Sequence, residues 1–164
     1  MYRNSIPSQT HPYRTSHSIV FNDPQHRVFV DGKYIGVVSD FTTNTRQCFL
    51  FASNDSGKAN YYSTARIYWC EFTDTATGEV LRRFIPVVDE NGKPAMFDEI
   101  NEKLYYNLGT GADFTAGPRK EEPWYFVEYL ESTGTQWIDT ETLAFAETRT
   151  DVGYMYTQTS QNKY

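Results

Sequence analysis

The sequence predicts an all-β domain, an antiparallel sandwich or barrel, and three observations carry that expectation. Its 164 residues include 13 Tyr and 11 Phe, which pack well on pleated sheets, while 10 Gly and 7 Pro supply turn points. Apolar residues come in short runs separated by turn clusters, and no amphipathic helix longer than two turns is expected. With 39% hydrophobic residues the chain has the size of one ordinary domain and enough apolar surface for a genuine core.

Residues 1–17 are polar, carry Pro7 and Pro12, and read as an arm. The β texture begins at residues 18–21. Asp31-Gly32 stands between the runs 27–30 and 33–38, and that dipeptide suits the two positive φ angles of a type I′ hairpin turn. Residues 47–52 and 65–72 are the next strands, separated by a polar loop over 53–64. An antiparallel register between these two runs sets Phe49 against Trp69, Phe51 against Ile67 and Cys48 against Cys70. Asp74-Thr75-Ala76-Thr77-Gly78 turns into a strand over 79–88, and Asp89-Glu90-Asn91-Gly92 turns the chain again. Residues 94–97 and 104–107 are short strands, and glycines 109, 111 and 117 close this portion. The charged tract 119–123 reads as a linker, followed by strands over 124–130, 135–138 and 149–157.

Net charge is −6, so no electrostatic footprint for nucleic acid or an anionic membrane surface is present. No apolar run approaches the roughly 20 residues that span a bilayer, so no membrane insertion is expected. The first 20 residues lack the apolar stretch of a signal peptide, and the chain as given is expected to carry no export signal of its own.

Two stretches resemble one family, the LamG-like members of the concanavalin A-like lectin/glucanase jelly rolls. The first, over 28–118, includes Val30-Asp31-Gly32, Leu50-Phe51-Ala52-Ser53-Asn54, Arg66-Ile67-Tyr68, Arg83-Phe84-Ile85-Pro86-Val87, Phe97-Asp98, Tyr106-Asn107-Leu108-Gly109-Thr110-Gly111 and Gly117-Pro118. It resembles the second half of such a module. The second, over 127–140, contains Glu131-Ser132-Thr133-Gly134-Thr135-Gln136-Trp137 and resembles the opening strand. The order is thus reversed, and three readings follow: a circular permutant whose last strands close the sandwich of 18–118, a cut through tandem modules, or residues 124–164 donated to a neighbouring copy. The resemblance implies a jelly-roll β-sandwich, either permuted or strand-exchanged. It also implies a setting in a phage virion or at a bacterial cell surface, as an adhesin-like module or structural subunit.

Glycoside hydrolases of this fold resemble one another in alternating carboxylates along one strand, and no such run occurs here. The acidic cluster 98–102 reads as a solvated turn, and Asp89-Glu90-Asn91-Gly92 as a hairpin turn rather than a calcium loop. His11, His17 and His26 lack metal-ligand spacing and read as surface residues. Cys48 and Cys70 read as two packed thiols in preference to a strained cross-strand disulfide. No cofactor, metal or catalytic residue is therefore expected, and the protein reads as a non-enzyme.

Recognition by a surface remains. Sugar sites combine an aromatic platform with amides and carboxylates, and the loop over 54–62 offers that set, with Asp55, Asn60, Tyr61 and Tyr62 as candidate ligand-binding residues. Its plain alternative is a polar loop whose tyrosines cover a sheet edge. Trp124 and Trp137 are larger platforms but read as core or interface residues. Asn54-Asp55-Ser56 also matches a glycosylation acceptor. The expected partner is a glycan or a surface protein, with assembly through donated C-terminal strands as the alternative.

Overall fold

Asp31 and Gly32 take φ angles of +50° and +73°, and the type I′ turn they form joins β2 (Arg27–Val30) to β3 (Lys33–Val37). The computed structural model describes residues 16–21, 25–37, 47–119, 126–143 and 147–157. Over them the chain is all-β, with every paired strand antiparallel.

Eight strands form the spine of one large sheet. They are β1 (His17–Phe21), β2, β3, β7 (Ala65–Asp74), β8 (Val80–Val88), β9 (Pro94–Asp98), β10 (Lys103–Tyr105) and β14 (Thr148–Tyr156), in the order β10-β9-β8-β7-β14-β1-β2-β3. Two short strands, β11 (Thr115–Ala116) and β12 (Leu130–Glu131), join it where β12 pairs with the start of β7. Facing it is a two-stranded layer of β4 (Gln47–Leu50) and β13 (Ile138–Leu143). Leu50 and Ile138 from that layer pack with Ile67, Phe72, Phe84 and Met96 of the large sheet, so the core lies between the layers and the fold is a β-sandwich. Phe84 is its centre, edge-on to Phe72 at 6.1 Å and to Tyr105 at 5.3 Å. The remaining strands, β5 (Ser53–Asp55) and β6 (Lys58–Asn60), form a separate hairpin.

Both long turns follow from their acidic first residues. Asp74 Oδ1 accepts from the Ala76 and Thr77 amides, and Asp89 Oδ1 accepts from those of Asn91 and Lys93. The Asp89–Gly92 segment is thus a hairpin turn between β8 and β9.

The expected pairing of 47–52 with 65–72 does not form. One side of β7 is taken by β14 and the other by β8 and β12, so β4 crosses to the opposite layer and pairs with β13. Phe49 therefore stacks on Trp137 at 4.3 Å instead of facing Trp69. Cys48 and Cys70 lie on facing layers as two free thiols. A bulge also breaks the expected alternation. In the ladder between β7 and β14, Trp69 pairs with Gly153 and Ile67 with Tyr154, which leaves Tyr68 as the extra residue and turns Trp69 away from the core.

Other expectations shift in extent. The polar stretch 53–64 holds the β5–β6 hairpin, and residues 135–137 precede a strand rather than form one. His17, placed in the arm by sequence, is a buried residue of β1. Its ring Nδ1 lies 2.8 Å from Asp31 Oδ2. Residues 1–15, 120–123 of the expected linker, His11 and Trp124 lie outside the described residues.

Residues 126–143 and 147–157 close on this same chain. β12 pairs with β7, β13 with β4, and β14 inserts between β7 and β1.

Candidate functional site

The four candidate ligand residues come together on the β5–β6 hairpin and the two residues after it. Ser56 and Gly57 form the tip with φ angles of +57° and +86°, the same turn chemistry as Asp31-Gly32. Asn54 holds the hairpin from within: its Oδ1 accepts the Gly57 amide at 2.8 Å and its Nδ2 donates to the Gln47 carbonyl at 2.8 Å. The glycosylation-acceptor amide is therefore engaged in backbone bonds. Asp55 pairs across the ladder with Lys58, and both are exposed.

Beyond β6 the chain enters a sparsely populated conformation. Tyr61 has φ +50°, and its amide donates to Asn60 Oδ1 at 2.9 Å, so the Asn60 side chain fixes the bend. The outcome is two adjacent tyrosines displayed outward, Tyr61 51% and Tyr62 41% exposed. The Tyr62 hydroxyl bends back to donate to the Ala59 carbonyl at 3.3 Å, which fixes its ring over the hairpin. Asp55, Asn60, Tyr61 and Tyr62 thus share one exposed element.

That element stands at the rim of a cavity. A space of about 630 Å³ opens between β4 and the faces of β1, β7 and β14, and Ser53, Asn54 and Ser63 contribute to its wall. The rest of the lining is mainly apolar and includes Ile19, Phe51 and Tyr154. Both thiols face it: burial, reinforced by the Asp139 carboxylate, pushes Cys48 up to about 11, and burial raises Cys70 well above its usual range. Protonated thiols of this kind are poor nucleophiles, and they serve here as small packing groups.

Close to the hairpin lies the polar run 132–136: the Ser132 amide donates to the Ala65 carbonyl at 2.8 Å, and Ser132 and Gln136 are buried while Thr133 and Thr135 are exposed. Gln136 is fully buried; its Oε1 accepts the amides of Thr133 and Thr135 and the Ser132 hydroxyl, and its Nε2 donates to the Ala112 carbonyl at 2.9 Å. Asn107 completes the junction, its Oδ1 accepting the Gly109 amide at 2.7 Å and the Trp137 amide at 3.3 Å. The two stretches that carry the family resemblance therefore meet each other here.

Two acidic groups elsewhere are structural. Asp98 is fully buried rather than solvated, accepting the Arg83 and Ile100 amides and the Asn101 side chain while Arg82 Nε lies 3.4 Å away. A turn-like sequence conceals this because the partners of Asp98 come from β8 as well as from its own turn. Glu141 is held below its usual range by hydrogen bonding to Lys103, with both Nζ–Oε distances 2.7 Å. Among the described residues no group of three or more His, Cys, Asp or Glu side chains gathers at metal-binding distance.

The site and fold define a β-sandwich with an exposed aromatic hairpin at a cavity rim. Comparison with known proteins yields no match: no family model fits the chain, and no curated protein or solved structure is significantly similar to it.

Proposed function

We propose that this protein is a non-catalytic binding module of a phage virion or bacterial surface appendage that engages carbohydrate through the β5–β6 hairpin. The observation that carries this reading is Tyr61. A bulky residue in the left-handed region costs roughly 1–2 kcal/mol, and here that cost accompanies the display of its ring beside Tyr62. The Asn60 side chain sits beside Tyr61, and Asp55 nearer the tip of the same hairpin adds a carboxylate for sugar hydroxyls. Weak single-site binding of this kind gains strength from multiple copies, as virion and cell-surface settings provide. The resemblance of the quoted motifs to LamG-like jelly rolls points the same way.

A glycan array probed with the wild type and with the Tyr61→Ala/Tyr62→Ala double variant tests the reading. Any glycan whose binding disappears in the double variant while the thermal midpoint holds supports it. Equal binding by both proteins sinks this assignment.

Polymerisation by donated C-terminal strands is the competing function. The central place of β14 favours closure within one chain, because an exchange must open the large sheet at its middle. Both ends of the strand order are also guarded, β3 by a register shift against β2 and β10 by its three-residue length. Light scattering over a range of concentrations decides: a constant mass near 19.0 kDa fits the self-contained module, and growing polymers fit donation.

A further inference from the structure

The outer face of the large sheet carries a second aromatic surface. The bulge at Tyr68 sends Trp69 outward, where it stays 40% exposed. Its cross-strand partner is Gly153, and the two are in close contact. A Cβ built on Gly153 would lie 2.5 Å from the indole Nε1 and 2.9 Å from Cδ1. Only glycine leaves room for the indole to lie down across β14 in this way.

The next row of the same face is polar and electrically balanced. Glu71 pairs across the ladder with both Asp151 and Arg83. Arg83 Nε lies 2.8 Å from Glu71 Oε2, and Arg149 Nε lies 2.9 Å from Asp151 Oδ2. Residues two apart on a strand are about 7 Å apart on one face, and neighbouring strands are about 4.8 Å apart. The polar row therefore begins about one sugar ring away from the indole.

We propose that Trp69, lying on Gly153, is the stacking platform of a glycan site whose hydroxyl partners are the ion-paired side chains of Glu71, Arg83 and Arg149, the last held in place by the buried Asp151. The class of ligand follows from shape and charge. A recumbent indole beside a polar row fits a chain of equatorially linked pyranoses, whose ring faces present C–H groups. Two carboxylates matched by two guanidiniums select against a charged sugar, so the ligand is a neutral glycan. Each ion-paired group keeps lone pairs or N–H donors with which to meet hydroxyls.

This inference rests on the reading of the protein as a glycan-binding module but assigns the contact to the opposite side of the sheet from the cavity. The test is isothermal titration of the full chain with cellohexaose, an uncharged, equatorially linked oligosaccharide. Measured beside the wild type are Trp69→Ala, Trp69→Phe and the Tyr61→Ala/Tyr62→Ala variant. The expected result is binding by the wild type, a loss of about tenfold or more in Trp69→Ala, a smaller loss in Trp69→Phe, and no change in the tyrosine variant. Thermal unfolding accompanies each titration and is expected to be unchanged in Trp69→Phe, so a folding defect is recognised as such.

Unaltered affinity in Trp69→Ala overturns the platform, and so does a wild type that gives no heat with cellohexaose. Cellohexaose binding lost only in the tyrosine variant overturns the platform while leaving the hairpin reading intact. A wild type that binds neither cellohexaose nor any glycan on the array overturns both.

Discussion

Two polar runs of similar composition meet opposite fates in this molecule. In the run 132–136, Ser132 and Gln136 are buried and hydrogen-bonded while Thr133 and Thr135 stay exposed, whereas the run 53–62 stands out in solvent as a hairpin that displays two rings. What separates them is the reach of one side chain. Gln136 has both an acceptor and two donors, and backbone groups of two different loops lie within range. Asn54, one methylene shorter, spends the same chemistry on its own hairpin and on the Gln47 carbonyl. A buried amide whose every group is satisfied fastens distant segments, while one satisfied largely locally shapes a projection.

That contrast can be broken most forcefully at Gln136. Gln136→Leu roughly keeps the volume but removes the acceptor of the Thr133 and Thr135 amides and the donor to the Ala112 carbonyl, and a loss of about 2–3 kcal/mol is expected by urea unfolding. A loss below about 1 kcal/mol would mean the junction tolerates water and is no weld. The glycine side of the same junction comes next. A Cβ at Gly109 overlaps the Thr135 carbonyl and one at Gly111 overlaps the Thr135 hydroxyl, so either Gly→Ala change is expected to cost about 1–3 kcal/mol.

The thiols sharpen the comparison through pH. Burial holds Cys48 near 11 against 9.0 for a free thiol, so the folded chain keeps this proton more tightly than the unfolded one. The stability this contributes is complete below pH 9.0 and is lost as pH rises toward 11. Cys48→Ala is expected to flatten that alkaline decline, measured as unfolding free energy against pH; an unchanged slope would show the thiol to be reachable by water. In the native protein both thiols should react slowly with a thiol reagent at pH 8 and rapidly in denaturant.

The smallest effects belong to the hairpin. Tyr61→Ala/Tyr62→Ala is expected to change stability by no more than about 0.5 kcal/mol. Tyr61→Gly is expected to raise stability by up to about 1 kcal/mol, because glycine accepts the +50° φ without strain, while removing the ring needed for recognition. A destabilised Tyr61→Gly would mean that the ring serves packing.

Local chemistry was legible in the sequence. Asp31-Gly32 announces its turn because both positive φ angles are needed within two residues, and the Asp74 and Asp89 turns are written in side chains that bond two to four positions ahead. The pairing of β4 was not legible, since nothing in residues 47–50 records that both sides of β7 are already filled by distant strands. The outward turn of Trp69 was not legible for a related reason: a single extra residue at Tyr68 reverses the face that alternation from Ile67 would give. The Ser56-Gly57 dipeptide was the available signal for the second hairpin, hidden by the polar residues around it. Asp55, Asn60, Tyr61 and Tyr62 could be singled out by composition, but the conformation that presents them depends on an Asn60 bond invisible before folding.

The position of β14 has a consequence for how the protein is made. His17 pairs with Tyr154, so the first described strand waits for the last described one before either is satisfied. On a ribosome, β1 and β7 emerge long before the strand that joins them, and each offers an open side to any nascent neighbour in the meantime. Such distant pairing slows folding and lengthens that exposure. Yield in a cell should therefore respond to synthesis rate and to holding chaperones more than the finished sandwich, once sealed, would lead one to expect.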